Sequence, residues 1–132
     1  MTEENSPRVL VFGNSVGLPV SLTVLPQDYI CGIVVAAIRP VDNDSLQQLA
    51  ESKNIPFLIQ PTPASPEYSE FVDQVKGLNP NYILVNSYAM RLPPELLRIP
   101  SGGAFNVHGG LLPRYRGCNP IQWSLINDEK NA

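Results

Sequence analysis

At 132 residues, with 43% apolar residues, the chain has the length and composition of one globular domain, and residues 1–132 are expected to form it. A net charge of −3 advertises no basic face for nucleic acid, and no apolar run is long enough to span a bilayer. The polar, acidic start MTEENSPR is unlike a signal peptide, so the expected location is the cytoplasm, without membrane contact.

In chain order, Arg8–Gly13 is a short apolar run ending in glycine and reads as a buried strand. Val16–Leu25 has apolar residues at helical spacing, with Pro19 near its start. Ile30–Ile38 is a continuous, largely β-branched run and reads as a second strand. Asp42, Asn43, Asp44 and Ser45 all offer caps for a helix reaching about Ser52. A third strand is expected over Pro56–Ile59, a helix over Glu67–Lys76, and a fourth strand over Tyr82–Val85. A short helix over Pro93–Leu97, a fifth strand over Ala104–His108 and a helix over Pro120–Ile126 complete the list. Strand runs without polar alternation imply a sheet covered on both faces, and the strand–helix alternation implies a mostly parallel, Rossmann-like α/β fold. Ligands of such folds gather at the carboxyl ends of strands, here Gly13–Gly17, Asn86–Arg91 and Asn106 onward.

Three features carry candidate chemistry. The only histidine, His108, closes the fifth strand and precedes Gly109 and Gly110. It suits acid–base work, and equally a structural role bonded to a loop carbonyl. Asn106, two residues earlier, is expected on the same face, where an amide donor beside an imidazole suits stabilisation of an oxyanion. Gly109 and Gly110 let backbone approach a ligand, Pro113 stiffens the loop, and Arg116 either binds an anionic group or caps a helix. The run Gly13-Asn14-Ser15-Val16-Gly17 matches the nucleophile elbow G-x-S-x-G, which would make Ser15 a hydrolase nucleophile. The single histidine would then have to serve both the HGG segment and the triad, so a tight turn whose amides face an anion is the better reading. One histidine and two isolated cysteines, Cys31 and Cys118, give no metal-site spacing, and both cysteines are expected as free thiols.

The stretch NVHGGLLPRYRG, Asn106–Gly117, followed by Asn119-Pro120-Ile121-Gln122-Trp123, closely resembles the formyltransferases that use 10-formyltetrahydrofolate. That family includes methionyl-tRNA, glycinamide ribonucleotide and sugar-amine formyltransferases. VLVFGNSVGLPVSL is similar to the family's first strand and turn, and Asn86–Pro93 to the segment whose backbone holds the pterin ring of the folate. The resemblance implies catalytic roles for Asn106, as donor to the formyl oxygen, and His108, in proton transfer. It implies that Met90, Arg91 and Leu92 lie along the pterin pocket and that Leu111, Leu112 and Pro113 edge the site. It implies 10-formyltetrahydrofolate as formyl donor, and no metal. Two departures stand out. The family usually has serine where Gly110 stands, and its catalytic aspartate belongs on a strand beyond Ala132, whereas Asp128 and Glu129 fall at the end of the last expected helix. The expected reading is the N-terminal catalytic part of a formyltransferase with an incomplete sheet. The alternatives are a non-catalytic folate-binding or regulatory relic and an enzyme that recruits an acid from a partner chain. An exposed sheet edge suggests a homo-oligomer. The acidic charge and the RGCNPIQW continuation favour a small amine acceptor, such as an amino sugar, over tRNA.

Overall fold

The computed structural model describes residues 6–38, 40 and 42–131. Five strands, β1 (Val9–Gly13), β2 (Ile30–Ala36), β3 (Phe57–Gln60), β4 (Tyr82–Asn86) and β5 (Ala104–Val107), form one sheet in the order β3-β2-β1-β4-β5. Every neighbouring pair is parallel. The helices are α1 (Gly17–Val24), α2 (Asn43–Ser52), α3 (Tyr68–Leu78), α4 (Pro94–Leu97) and α5 (Pro120–Ile126). A 3-10 turn, Gln27–Tyr29, leads into β2 and has no clear signal in the sequence.

The sheet has a core on each face, as its unbroken apolar runs require. Val9 and Val11 of β1 join Ile33 and Val35 of β2, Leu18 of α1, and Leu46 and Ala50 of α2. Leu10 and Phe12 point the other way, to Val34, to Phe71 and Val75 of α3, and to Leu96 of α4. All residues of β1 and β2 are buried, whereas β5 is an edge strand on which Phe105 and Val107 are exposed. Apolar exposure continues on α5, where Ile121, Trp123, Leu125 and Ile126 all face outward and Ser124 alone is buried.

The strand order reverses direction between β1 and β4, where Gly13 lies abreast of Asn86. That is the crevice where open α/β sheets commonly receive ligands. Here protein fills it. Asn86 Nδ2 donates to the Gly17 carbonyl at 3.3 Å and to Ser21 Oγ at 3.2 Å. A Cβ built on Gly17 would stand 2.0 Å from the Asn86 carbonyl oxygen, so only glycine admits α1 this close to β4.

Several boundaries differ from the sequence reading, each for a local reason. β2 stops at Ala36 rather than Ile38, and β3 gains Gln60, whose carbonyl accepts from the Ala37 amide at 3.0 Å. The α2 cap position is Asp42 with a left-handed backbone (φ 66°), and its side chain does not cap. Asn43 Nδ2 instead donates to the Ala36 carbonyl at 3.3 Å, tying the helix start to the end of β2. β5 ends at Val107, one residue before the expected close, so His108 belongs to the loop and the two-residue alternation no longer fixes its face against Asn106.

Candidate functional site

Asn106 lies abreast of Val85 in the β4–β5 ladder, and Val107 abreast of Asn86. The loop after β5, beginning at His108, and the loop after β4, beginning at Ser87, therefore leave the sheet side by side at its carboxyl edge. The sequence-predicted residues fall on these two loops. Asn106 is exposed and, among the described residues, its side chain makes no hydrogen bond, so its amide is free to donate.

His108 is half-buried, and its Nε2 lies 2.5 Å from the Tyr115 carbonyl oxygen. A carbonyl only accepts, so Nε2 carries a proton, and whenever the ring is neutral Nδ1 presents the lone pair. This is the loop-carbonyl contact that a structural role requires, and it also orients the ring and fixes its tautomer. The carbonyl is held in place by its own residue. Tyr115 is buried, its hydroxyl donates to Glu129 Oε1 at 2.7 Å, and Asn127 Nδ2 donates to that hydroxyl at 3.3 Å. Arg114 pairs with the same Glu129 oxygen at 2.5 Å and lies over the Tyr115 ring. Glu129 is thus committed to Arg114 and Tyr115 rather than to His108.

Gly110 is enclosed. A Cβ there would stand 2.6 Å from Pro120 Cβ and 2.8 Å from Tyr115 Cβ, both anchored near the backbone. The glycine at the position where the resemblance expects serine is therefore demanded by this loop's packing and does not simply loosen it. A Cβ on Gly109 would meet the Ile121 side chain at 3.0 Å and Pro120 Cγ at 4.0 Å, contacts looser than those at Gly110. Leu111, Leu112 and Pro113 are exposed on the rim, with the Leu112–Pro113 peptide cis. Arg116 is exposed and lines a cavity of about 180 Å³ together with Arg114, Tyr115, Cys118, Pro120, Trp123 and Asn127. That cavity flanks the loop without including Asn106 or His108. A wider concavity of about 550 Å³ lies away at the start of α2 and Ile59.

On the neighbouring loop, Met90 is half-buried and Arg91 exposed. Leu92 packs with Tyr88 against the core of Leu96 and Phe12, which leaves less of it for a ligand than the sequence reading expects. Gln60 and Tyr88, missed by sequence reasoning, hold this loop from beneath. Tyr88 donates to Gln60 Oε1 at 2.6 Å, and Gln60 Nε2 donates to the Arg91 carbonyl at 3.3 Å. Burial pushes the Tyr88 phenol far above its ordinary range, so it remains a donor.

The G-x-S-x-G run is a turn. Asn14 Oδ1 accepts from the Val16 amide at 2.9 Å and the Gly17 amide at 3.1 Å, and the Leu18 amide bonds the Asn14 carbonyl. Those amides are occupied and do not present an anion site. Ser15 is exposed, and among the described residues no hydrogen bond joins it to His108, so the hydrolase reading has no nucleophile–base pair. Both cysteines are free, Cys31 buried and Cys118 exposed. Among the described residues no three His, Cys, Asp or Glu side chains gather as a metal site, and no helix is long and apolar enough to cross a membrane.

The formyl transferase family model matches residues 8–132. A methionyl-tRNA formyltransferase of Clostridioides difficile is 37% identical across 89% of this chain and 39% of its own length. Another from Thermodesulfovibrio yellowstonii is 52% identical across 46% of this chain and 20% of its own length. The chain thus spans well under half of these relatives. Among solved structures, the formyltetrahydrofolate deformylase of Pseudomonas syringae superposes with a TM-score of 0.73 at 20% identity, covering 93% of this chain and 42% of that one. The phosphoribosylglycinamide formyltransferase of Brucella melitensis gives 0.68 at 18% identity, covering 94% and 68%. These superpositions establish the fold. The sequence preference for a small amine acceptor is overturned, because the curated relatives at 37–52% identity are methionyl-tRNA enzymes. The parallel α/β sheet, the Asn106–Gly117 loop at its carboxyl edge and a family match over nearly the whole sequence together make this chain a member of the formyl transferase family.

Proposed function

We propose that this chain binds 10-formyltetrahydrofolate and takes part in moving its formyl group to the amino group of methionyl-tRNA, in the cytoplasm. One observation carries the reading. The unengaged Asn106 amide on β5 and His108, first residue of the loop that follows, both lie in the chain segment that leaves the sheet beside the loop after β4. The tRNA acceptor is taken from the names of the 37–52% identical relatives. Within this reading Met90, Arg91 and Leu92 border the pterin, Gly109, Gly110, Leu111, Leu112 and Pro113 form the rim, and Arg116 meets an anionic group of a substrate.

The donor supplies a formyl carbon bonded to a nitrogen that can leave. Asn106 Nδ2 donates to the formyl oxygen as the acceptor's amine bonds to the formyl carbon and charge builds on that oxygen. His108 Nδ1 takes the proton the amine sheds and returns it to the departing folate nitrogen as its bond to carbon breaks. The Tyr115 carbonyl keeps Nδ1 the basic atom throughout.

Calorimetry of the full chain with folinic acid, a stable formylated tetrahydrofolate, tests donor binding, and absence of heat at high ligand concentration overturns it. Transfer to methionyl-tRNA tests the acceptor. Asn106→Ala is expected to lower the transfer rate by roughly 10²–10³-fold with donor affinity nearly kept. His108→Ala is expected to lower it by roughly 10²–10⁴-fold. Equal rates in wild type and both variants overturn the assigned roles.

A further inference from the structure

Gln60 is the last residue of β3 and is fully buried (0% exposed), an unusual place for a side-chain amide. Its two polar atoms both serve the loop after β4. The Arg91 carbonyl can only accept, so it must face the Gln60 NH2 group, which fixes the orientation of the amide and leaves Oε1 to accept from Tyr88. β2 and β1 separate β3 from β4 in the sheet, so Ser87–Leu92 must reach across the carboxyl ends of the central strands to meet this glutamine. Two further contacts shape the path. Ser87 has a left-handed backbone (φ 54°) immediately after β4, and the Tyr88 ring stands edge-on to Phe12 with centroids 5.3 Å apart. No buried polar side-chain atom among the described residues is left without a partner, and both polar atoms of the Gln60 amide find theirs in this clamp.

We propose that Gln60, acting through Tyr88 and the Arg91 carbonyl, is a positioning residue that holds Ser87–Leu92 in the shape that receives the pterin end of the folate donor. The inference rests on the donor reading above. Removing the clamp leaves the sheet intact, frees the loop, and makes the loop's backbone pay an ordering penalty on binding.

The test uses the full chain carrying Gln60→Leu, Gln60→Glu or Tyr88→Phe, with amide hydrogen exchange and folinic acid calorimetry. Exchange across residues 87–92 is expected to rise by about tenfold or more in Gln60→Leu and Tyr88→Phe, with β1 and β2 unchanged. Affinity for folinic acid is expected to fall by about tenfold in both. Gln60→Glu keeps the acceptor for Tyr88 and loses the donor to Arg91, and is expected to fall between. Tyr88→Phe keeps the ring against Phe12 and carries the test should Gln60→Leu not fold. Unchanged exchange in residues 87–92 overturns the clamp. A mobile loop with undiminished affinity overturns its role in binding. Absence of heat with the wild type overturns the donor reading itself, together with this inference.

Discussion

Replacing Gly17 by alanine sets a methyl group 2.0 Å from the Asn86 carbonyl oxygen and 3.0 Å from the Asn86 side-chain carbon. An ordinary contact needs more than about 3 Å, so α1 or the end of β4 must retreat by about 1 Å. Neither yields easily. Asn86 is fixed in register between Gly13 and Val107, and Leu18 at the start of α1 is fully buried in the core. Overpacking of this kind costs roughly 1–3 kcal/mol. Retreat also breaks the Asn86–Gly17 hydrogen bond, worth about 1 kcal/mol. A destabilisation of about 3 kcal/mol follows, and with a urea slope of about 1–3 kcal/mol per molar the unfolding midpoint falls by about 1–3 M. Gly77 provides the internal comparison. It lies within α3, and a Cβ added there would meet nothing within 4 Å, so Gly77→Ala should stabilise by about 0.5–1 kcal/mol. Ser15→Ala, in the exposed turn, should leave the stability within about 0.5 kcal/mol of wild type. Urea unfolding followed by circular dichroism reads all three. A Gly17→Ala midpoint equal to that of Gly77→Ala would refute the close approach of α1 to β4, and with it the filled crevice that leaves the β4–β5 edge as the candidate site.

Gly110→Ser, which restores the residue the family resemblance expects, should destabilise this chain by about 1–3 kcal/mol because its Cβ meets Tyr115 and Pro120; a stabilised variant in the same urea assay refutes the packing described. A thiol reagent should modify one cysteine promptly and the second only on unfolding, since Cys118 is exposed while Cys31 is buried and its thiol pushed up by desolvation; peptide mapping that finds Cys31 labelled first contradicts this. The Tyr68 hydroxyl donates to Glu95 at 2.7 Å, with burial foremost raising the phenol to about 12 and this hydrogen bond holding the Glu95 carboxyl low. Relative to Tyr68→Phe, the wild type should therefore hold its advantage in the neutral range. It should lose it as pH rises from 10.0 toward 12, through the raised phenol, and again as pH falls below 4.5, through the lowered carboxyl; a stability difference flat across both ends refutes the pairing.

What the sequence discloses follows from how local each signal is. β1 and β2 are legible because strands buried on both faces must be apolar at every position, and all their residues are buried. The start of α2 is not, because four successive capping residues compete: the cap position falls to Asp42 without a side-chain cap bond, while the Asn43 side chain reaches the Ala36 carbonyl on a neighbouring strand. His108 is legible as a candidate and illegible in its geometry, since its ring is oriented by the carbonyl of Tyr115, itself braced by Glu129 and Asn127 beyond the motif. Gln60 gives no sign at all. A polar residue closing a short strand reads as solvent-facing, and only the fold brings the backbone of Arg91, 31 residues later, onto its amide. The acceptor is the plainest case. Net charge describes the residues summed, and these residues span 39% of the Clostridioides relative. A basic surface for tRNA need only exist on the protein that meets the tRNA, so a charge of −3 over this span carries no weight against a nucleic-acid acceptor. On the proposed reading the loop motif bears on the chemistry at the formyl carbon, and the residues after that loop include none whose type alone separates one amine from another.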